Sequence, residues 1–236
     1  MESFGEWASR TGLWRDIQRL EARQLIEVSG VGPRLDRVIK LTKLGRLMAL
    51  GGVLPPERWD RGWDGKWRIV VFDIPENERT KRQRLRLWLH TARFGLLQRS
   101  VWISPDPLGE LAAKVQSETV DCGSLTVFEG NTCLGECAAD IVGRAWDFHR
   151  IADAYAHWHA HVEQHIPPNI QGHDAKWFAW VDSERRVWQD CMAVDPLLPR
   201  ELWPKGYAGE KWWKMRMRLL AKFAKIAPLD STPDKG

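Results

Sequence analysis

Asp73 ends the apolar run Val70–Phe72 and is followed, past Pro75, by the cation-dense segment "RTKRQRLR" at Arg79–Arg86. A carboxylate at a strand end can hold a divalent cation. Mg²⁺ commonly takes one or two carboxylates together with water and phosphate oxygens. Asp73 beside a basic segment is therefore a candidate metal ligand for chemistry on nucleic acid. The plainer reading is that Asp73 ends a strand, caps the turn before the next helix or pairs with a neighbouring Arg. The next carboxylates, Glu76 and Glu78, lie beyond the proline. An isolated acid of this kind is more often structural, and that reading is preferred here.

A second constellation lies near the start of the chain. In "RTGLWRDIQRLEARQLIEV", Leu13, Ile17 and Leu20 recur at helical spacing, while Arg10, Thr11, Trp14, Arg15, Gln18 and Arg19 fall mostly on the other surface. Arg and Gln can contact base edges in a major groove, and Thr can contact a phosphate or a thymine methyl. Arg34 and Arg37 flank the turn "SGVGPR", where a wing would meet backbone phosphates. An ordinary solvated helix face would show the same residues.

Two further patterns carry less. His157, His161 and His165 follow at i, i+4 and i+8, with His159 opposite. That spacing can chelate zinc, but no acidic or Cys ligand has a fitting local spacing, so a structural or surface row is expected. Lys211, Lys214, Arg218, Lys222 and Lys225 form a stripe opposite Trp212, Met215, Leu219 and Phe223. It reads first as an amphipathic helix docked by its aromatic face, and second as a surface for phosphates. No G-x-S-x-G, Walker loop or G-x-G-x-x-G occurs, and no cofactor is expected.

The elements that would position these groups fall into segments. Residues 1–52 read as helix, strand, tight turn, strand and helical turn, the back half of a winged helix-turn-helix. Residues 53–65, within the Pro/Gly-rich "GGVLPPERWDRGWDG", read as a linker. Residues 66–131 alternate strand and helix: "WRIVVFDI", a helix over "ENERTKRQRLRLWLHTARFG" ending at Gly95, a strand "QRSVWISP", a helix "LGELAAKVQSET" and a strand "GSLTVFEG". That order suggests a ferredoxin-like α+β domain. Residues 132–228 read as helical, with one long helix from about Glu136 to His165, a helix from Lys176 to about Met192, the Pro-rich loop "VDPLLPRELWPKG" and a helix from Gly209 to Ile226. Residues 229–236 read as a disordered tail.

Composition narrows the setting. The net charge is +4 and the pI 8.9, which permits a nucleic-acid partner without establishing one. Cys122, Cys133, Cys137 and Cys191 form no C-x-x-C pair and read as reduced thiols. No apolar run is long enough to span a bilayer and no secretory h-region opens the chain, so a cytoplasmic protein without membrane contact is expected.

Three segments together resemble one family. "RTGLWRDIQRLEARQLIEV…IKLTKLGR" looks like the winged-helix end of PaaX-type repressors of phenylacetate catabolism. "WDGKWRIVVFDIP…RLRLWLHTARFGLLQRSVWISP" is similar to that family's middle domain, itself related to the small CRISPR-associated nuclease subunit of ferredoxin-like fold. "VDPLLPRELWPKGYAGEKW" resembles the family's C-terminal helical domain. The resemblance implies a homodimeric repressor of double-stranded DNA that is released by an acyl-CoA-type effector, whose binding residues the sequence does not indicate. Asp73 matches the strand-end Asp that is thought to bind metal in the related CRISPR subunit. Only about ten residues precede the recognition helix, fewer than two ordinary helices need, so a partial winged helix is expected. Where the family tends to carry a His-containing motif, this chain has "WVDSERR". Two alternatives stand beside the repressor: a Mg²⁺-dependent nuclease using Asp73 across a dimer, and a protein-interaction module that has lost DNA binding.

Overall fold

The computed structural model describes residues 12–29, 38–109, 125–132, 135–167 and 175–226. The expected helix from residue 110 onward, the hairpin tip and the tail lie outside them. The chain divides into two compact units, residues 1–54 and 55–236.

In the first unit, α1 (Leu13–Ala22) leads into the antiparallel strands β1 (Ile26–Ser29) and β2 (Val38–Leu41), paired from Ile26↔Leu41 to Ser29↔Val38. Thr42 then starts α2 (Lys43–Ala49). Its hydroxyl accepts from the Gly45 N–H at 2.9 Å and donates to the Gln24 carbonyl at 2.6 Å. One side chain thus caps α2 and holds it to the end of α1. A Cβ on Gly45 would lie 1.8 Å from the Leu25 carbonyl oxygen, so this crossing admits only glycine.

The second unit opens with α3 (Pro55–Trp59), inside the stretch that reads as a linker. Trp59 is buried, and its indole N–H donates to the Tyr207 hydroxyl at 3.2 Å. The sheet follows: β3 (Trp67–Phe72), α4 (Arg79–Thr91), β4 (Gly95–Gln98), β5 (Val101–Ser104) and β6 (Leu125–Gly130). Its spatial order is β4-β5-β3-β6, every neighbour antiparallel. β3 and β4, joined through α4, are separated by β5. This is the split β-α-β arrangement of a ferredoxin-like domain.

The sequence reading counts three strands here and the structure has four. Gly95 does not end the helix. Arg93 does so, in the left-handed conformation at φ 66, and Gly95 begins β4. A Cβ on Gly95 would meet Trp146 at 2.6 Å and Ala145 at 2.7 Å. Glycine is needed there for close packing.

Both faces of β3 are covered, as its alternation requires, whereas β6 at the edge is largely exposed, Val127 and Phe128 included. Val70 and Phe72 pack with Leu85, Leu89, Phe94 and Trp102 beneath α4. Trp67 and Ile103 pack on the other side with Ile141, Val142, Trp146 and Leu198. Arg68, buried in the central strand, is held by Asp64, which accepts from Nη1 at 2.8 Å and Nη2 at 2.5 Å, and by Glu129 at 3.0 Å from Nε.

The long helix expected over 136–165 is two helices, α5 (Ala138–Ala145) and α6 (Phe148–His165). Trp146 is extended, and the Asp147 carboxylate accepts the Arg150 N–H at 3.0 Å, which restarts the helix. α7 (Ala175–Val194) packs along α6, and α8 (Gly209–Ile226) follows the Pro-rich loop. A buried ion pair joins three helices. Arg216 of α8 meets Glu184 of α7 at 2.7 and 3.1 Å, and Trp158 of α6 donates to Glu184 at 2.8 Å. The Arg216 guanidinium lies over the Trp188 ring at 4.8 Å.

Removing one partner of such a pair leaves the other charged and desolvated. Arg216→Met should therefore cost about 3–5 kcal/mol in urea unfolding. Asp64 gives a pH signature. The Arg68 guanidinium holds its carboxyl down at about 2, against an ordinary 3.8. A depressed acid stabilises the fold above its ordinary value and loses that contribution as pH falls toward 2. The urea midpoint of wild type should drop more steeply between pH 4 and 2 than that of Asp64→Asn.

Candidate functional site

The candidate DNA-reading residues divide. Arg10, Thr11, Arg34 and Arg37 lie outside the described residues. Within α1, Arg15, Gln18 and Arg19 are exposed and share one face at i, i+3 and i+4. Arg19 pairs with Asp16 at 3.4 Å on the surface. Trp14 is half-buried, as are Leu13 and Ile17. Leu20, read as inward-facing, is 37% exposed. What α1 presents is a short polar face of two guanidinium groups around one amide.

Asp73 is exposed directly after β3. The turn behind it, Glu76–Glu78, is a 3-10 helix that leads into α4, and Glu78 pairs with Lys81 at 2.9 Å. Among the described residues no three His, Cys, Asp or Glu side chains gather in a group able to hold a metal ion. The histidine row is partly engaged. The His161 and His165 rings stack at 4.5 Å, His161 lies 3.0 Å from the Ser183 hydroxyl, and His159 faces Glu163.

The structure adds a cleft that the sequence did not indicate. It encloses about 870 Å³ between the C-terminal half of α4, β4, the α5–α6 junction and the end of α7. Leu87, Phe94, Leu96, Trp146, Phe148 and Ile151 give it apolar walls. Arg93, Arg144, Arg150, His90 and His149 give it basic groups. A smaller cavity of about 300 Å³ adjoins it, sharing Phe148, His149, Ile151 and Pro204 and reaching Tyr155 and Tyr207. Burial, and then the charges of Arg150 and Arg86, keep the His90 ring below its ordinary pKa. These residues come from segments around 87–96, 143–151 and 193–204, each more than forty positions from the next, so no local spacing betrays them. The one local sign is Asp147, an N-cap residue that places His149 and Arg150 in the first turn of α6.

Both cavities rest on one turn. Asp195 is fully buried. Its Oδ2 accepts from the Tyr155 hydroxyl at 2.6 Å and the Tyr207 hydroxyl at 2.7 Å, and its Oδ1 accepts the Leu197 N–H at 2.7 Å. Burial pushes the carboxyl up and the three donors oppose that rise. Burial, and then the neighbouring Asp195, push both phenols up. Arg93 donates to the Met192 carbonyl at 2.8 Å and also to the Asp195 carbonyl, while Arg61 donates to the Leu197 carbonyl at 2.5 Å. A mixed apolar and cationic cleft of this size suits a ligand with both an apolar and an anionic part.

Residues 60–142 match the model of the PaaX protein central Cas2-like domain. This stretch is similar to the central domain of PaaX-type proteins. The match spans the sheet and runs into α5. Likeness to the PaaX family suggests a transcriptional regulator. Among solved structures, the uncharacterized protein Rv0674 from Mycobacterium tuberculosis has a similar fold. The TM-score is 0.55 and the identity 21%, covering 92% of this chain and 82% of that one. No curated protein sequence matches.

The Asp195 turn can be tested directly. Tyr155→Phe removes one donor from a buried carboxylate. Tyr207→Phe does the same and also leaves the Trp59 indole without its acceptor. Each should cost about 1–3 kcal/mol in urea unfolding.

Proposed function

We propose that the protein is a DNA-binding transcriptional repressor of PaaX type, a homodimer relieved by an acyl-CoA-type effector. The PaaX-type central domain is the observation that carries this reading. The α1 face supports it: Arg15, Gln18 and Arg19 are the residue types, at the spacing, that read base edges in a major groove. In this reading α1 is the recognition helix and the β1–β2 hairpin is the wing. The central domain dimerises and sets the spacing of two reading heads, and Asp73 ends β3 without chemistry.

The effector is assigned to the cleft above the Asp195 turn. An acyl-CoA carries phosphates for Arg150, Arg144 and His149 and an acyl group for the wall of Phe94, Trp146 and Phe148. Binding at that cleft favours the form of the dimer that cannot hold the operator. The effector acts only through its different affinity for the two forms.

A labelled duplex from the protein's own upstream region, run with Mg²⁺ and with EDTA, tests the whole reading. Wild type should shift the duplex uncut, more weakly as salt rises. Arg15→Ala and Gln18→Ala should each cost about 1–3 kcal/mol of preference for that duplex over an unrelated one. An acyl-CoA should release the duplex from wild type, and more of it should be needed for Arg150→Ala. Cleavage that needs Mg²⁺ and vanishes in Asp73→Ala would sink the repressor reading in favour of a nuclease. Release by no acyl-CoA would remove the effector half alone.

A further inference from the structure

We infer that α4 and the β4–β5 turn of the central domain form a second DNA-binding surface, one that holds the phosphate backbone without reading sequence. The inference rests on the DNA-binding reading above and adds a site to it.

Charge distribution is the first observation. From Arg79 to Pro105 the chain carries seven Lys or Arg and no Asp or Glu. The whole chain has 35 Lys and Arg against 31 Asp and Glu. Without this stretch the remainder is net negative, so the chain's entire positive excess is placed on α4 and the strands that follow it.

The second observation is what these cations do. Arg58, Arg61, Arg68, Arg144, Arg200 and Arg216 each pair with a carboxylate. Of the six arginines at positions 79, 82, 84, 86, 93 and 99, none makes a carboxylate ion pair among the described residues. Arg82 donates to the Ile74 carbonyl at 2.6 Å, Arg86 donates to the Arg99 carbonyl at 3.0 Å, and Arg93 turns inward to the Asp195 turn. Arg79, Arg84 and Arg99 are exposed. The bond from Arg86 to the Arg99 carbonyl brings the β4–β5 turn beside the middle of α4, on the flank that Arg79 shares with Arg86 at i, i+7. Arg84 stands on the other flank, roughly 140° round the helix from Arg79, so the cations bracket the exposed face of α4. The acids that precede it in sequence, Asp73, Glu76 and Glu78, lie between β3 and α4, where Glu78 is taken by Lys81.

Arginines gathered without carboxylates repel one another and do nothing for the fold by pairing. A polyanion relieves that repulsion. The guanidinium fork matches phosphate oxygens with two parallel hydrogen bonds. A 13-residue helix is about 20 Å long. That length suits a row of phosphates better than a single bound anion. The surface contains no base-reading geometry, so it supplies affinity rather than specificity.

The test is the salt dependence of duplex binding by the full chain. The triple variant Arg79→Gln, Arg84→Gln, Arg99→Gln removes exposed side chains only. It should lower the slope of log affinity against log salt by about 3, roughly one for each phosphate no longer neutralised. Upstream and unrelated duplexes should weaken by the same factor, unlike the Arg15 and Gln18 variants, which change preference. Arg84→Gln and Arg99→Gln alone should each lower the slope by about 1, which secures the result should the triple variant fold poorly. A control of equal charge, Lys211→Gln, Arg218→Gln, Lys222→Gln on α8, should leave the slope near wild type. A wild-type slope in the α4 variants overturns the inference and leaves the repressor reading intact. An equal drop in slope in the α8 control also overturns it, since net charge alone would then explain the effect. If wild type binds no duplex at any salt, both the inference and the repressor reading fall.

Discussion

The architecture of residues 55–226 depends on one turn that several segments must hold at once. Asp195 is a carboxylate without access to water, and it is tolerable only because two tyrosines and a backbone N–H fill its acceptor sites. Those tyrosines come from α6 and from the Pro-rich loop. The turn's carbonyls accept from Arg93, at the end of α4, and from Arg61, just after α3. The end of α7 is thereby joined to the sheet domain, to α6 and to the segment before the sheet. Arg93 takes a left-handed backbone conformation that a glycine would adopt with less strain. A glycine there would lack the guanidinium that reaches the turn.

This constraint helps hold residues from Pro55 onward in one compact unit. Pro/Gly-rich composition marks the stretch 51–65 as irregular, and much of it is. Irregular backbone can still be anchored, and here Trp59 and Trp63 are its anchors. Trp59 enters the core beside Trp203 and Tyr207, and Trp63 packs at a tilt against Trp67. The covered second face of β3 follows from the same packing, since α5 and Leu198 and Leu202 lie where solvent would otherwise be.

Much of the fold is legible in the sequence because its elements are locally encoded. The strand 67–72, the helix 79–91, and the helices ending at Val194 and Ile226 all announce themselves by apolar spacing. The failures have physical causes. β4 is hidden because Gly95 looks like a helix stop, when the stop is an arginine that tertiary hydrogen bonds hold in a strained conformation. The α5–α6 break is hidden because Trp146 and Asp147 sit within a continuous apolar pattern that a helix would also satisfy. Arg216 looks like one more surface cation of α8, and only the buried Glu184 on another helix draws it inward. The cleft is invisible for a related reason. Its cations are brought together by the chain crossing, not by spacing. The row Arg15, Gln18 and Arg19 is legible because residues on one helix face follow helical periodicity, whereas Arg10, Thr11, Arg34 and Arg37 lie outside the described residues.

The irregular pairing of β4 has a further consequence. β4 is four residues long, lies at the edge of the sheet, and shifts register against β5 between Leu96 and Gln98. A regular edge strand offers evenly spaced N–H and C=O groups to any extended chain that drifts against it. A bulged edge offers unevenly spaced ones, with a local twist that carries them out of line. The sheet is therefore guarded at that edge against runaway strand addition, the route by which crowded chains aggregate. A longer, flatter β4 with regular pairing would present a better template for strand addition.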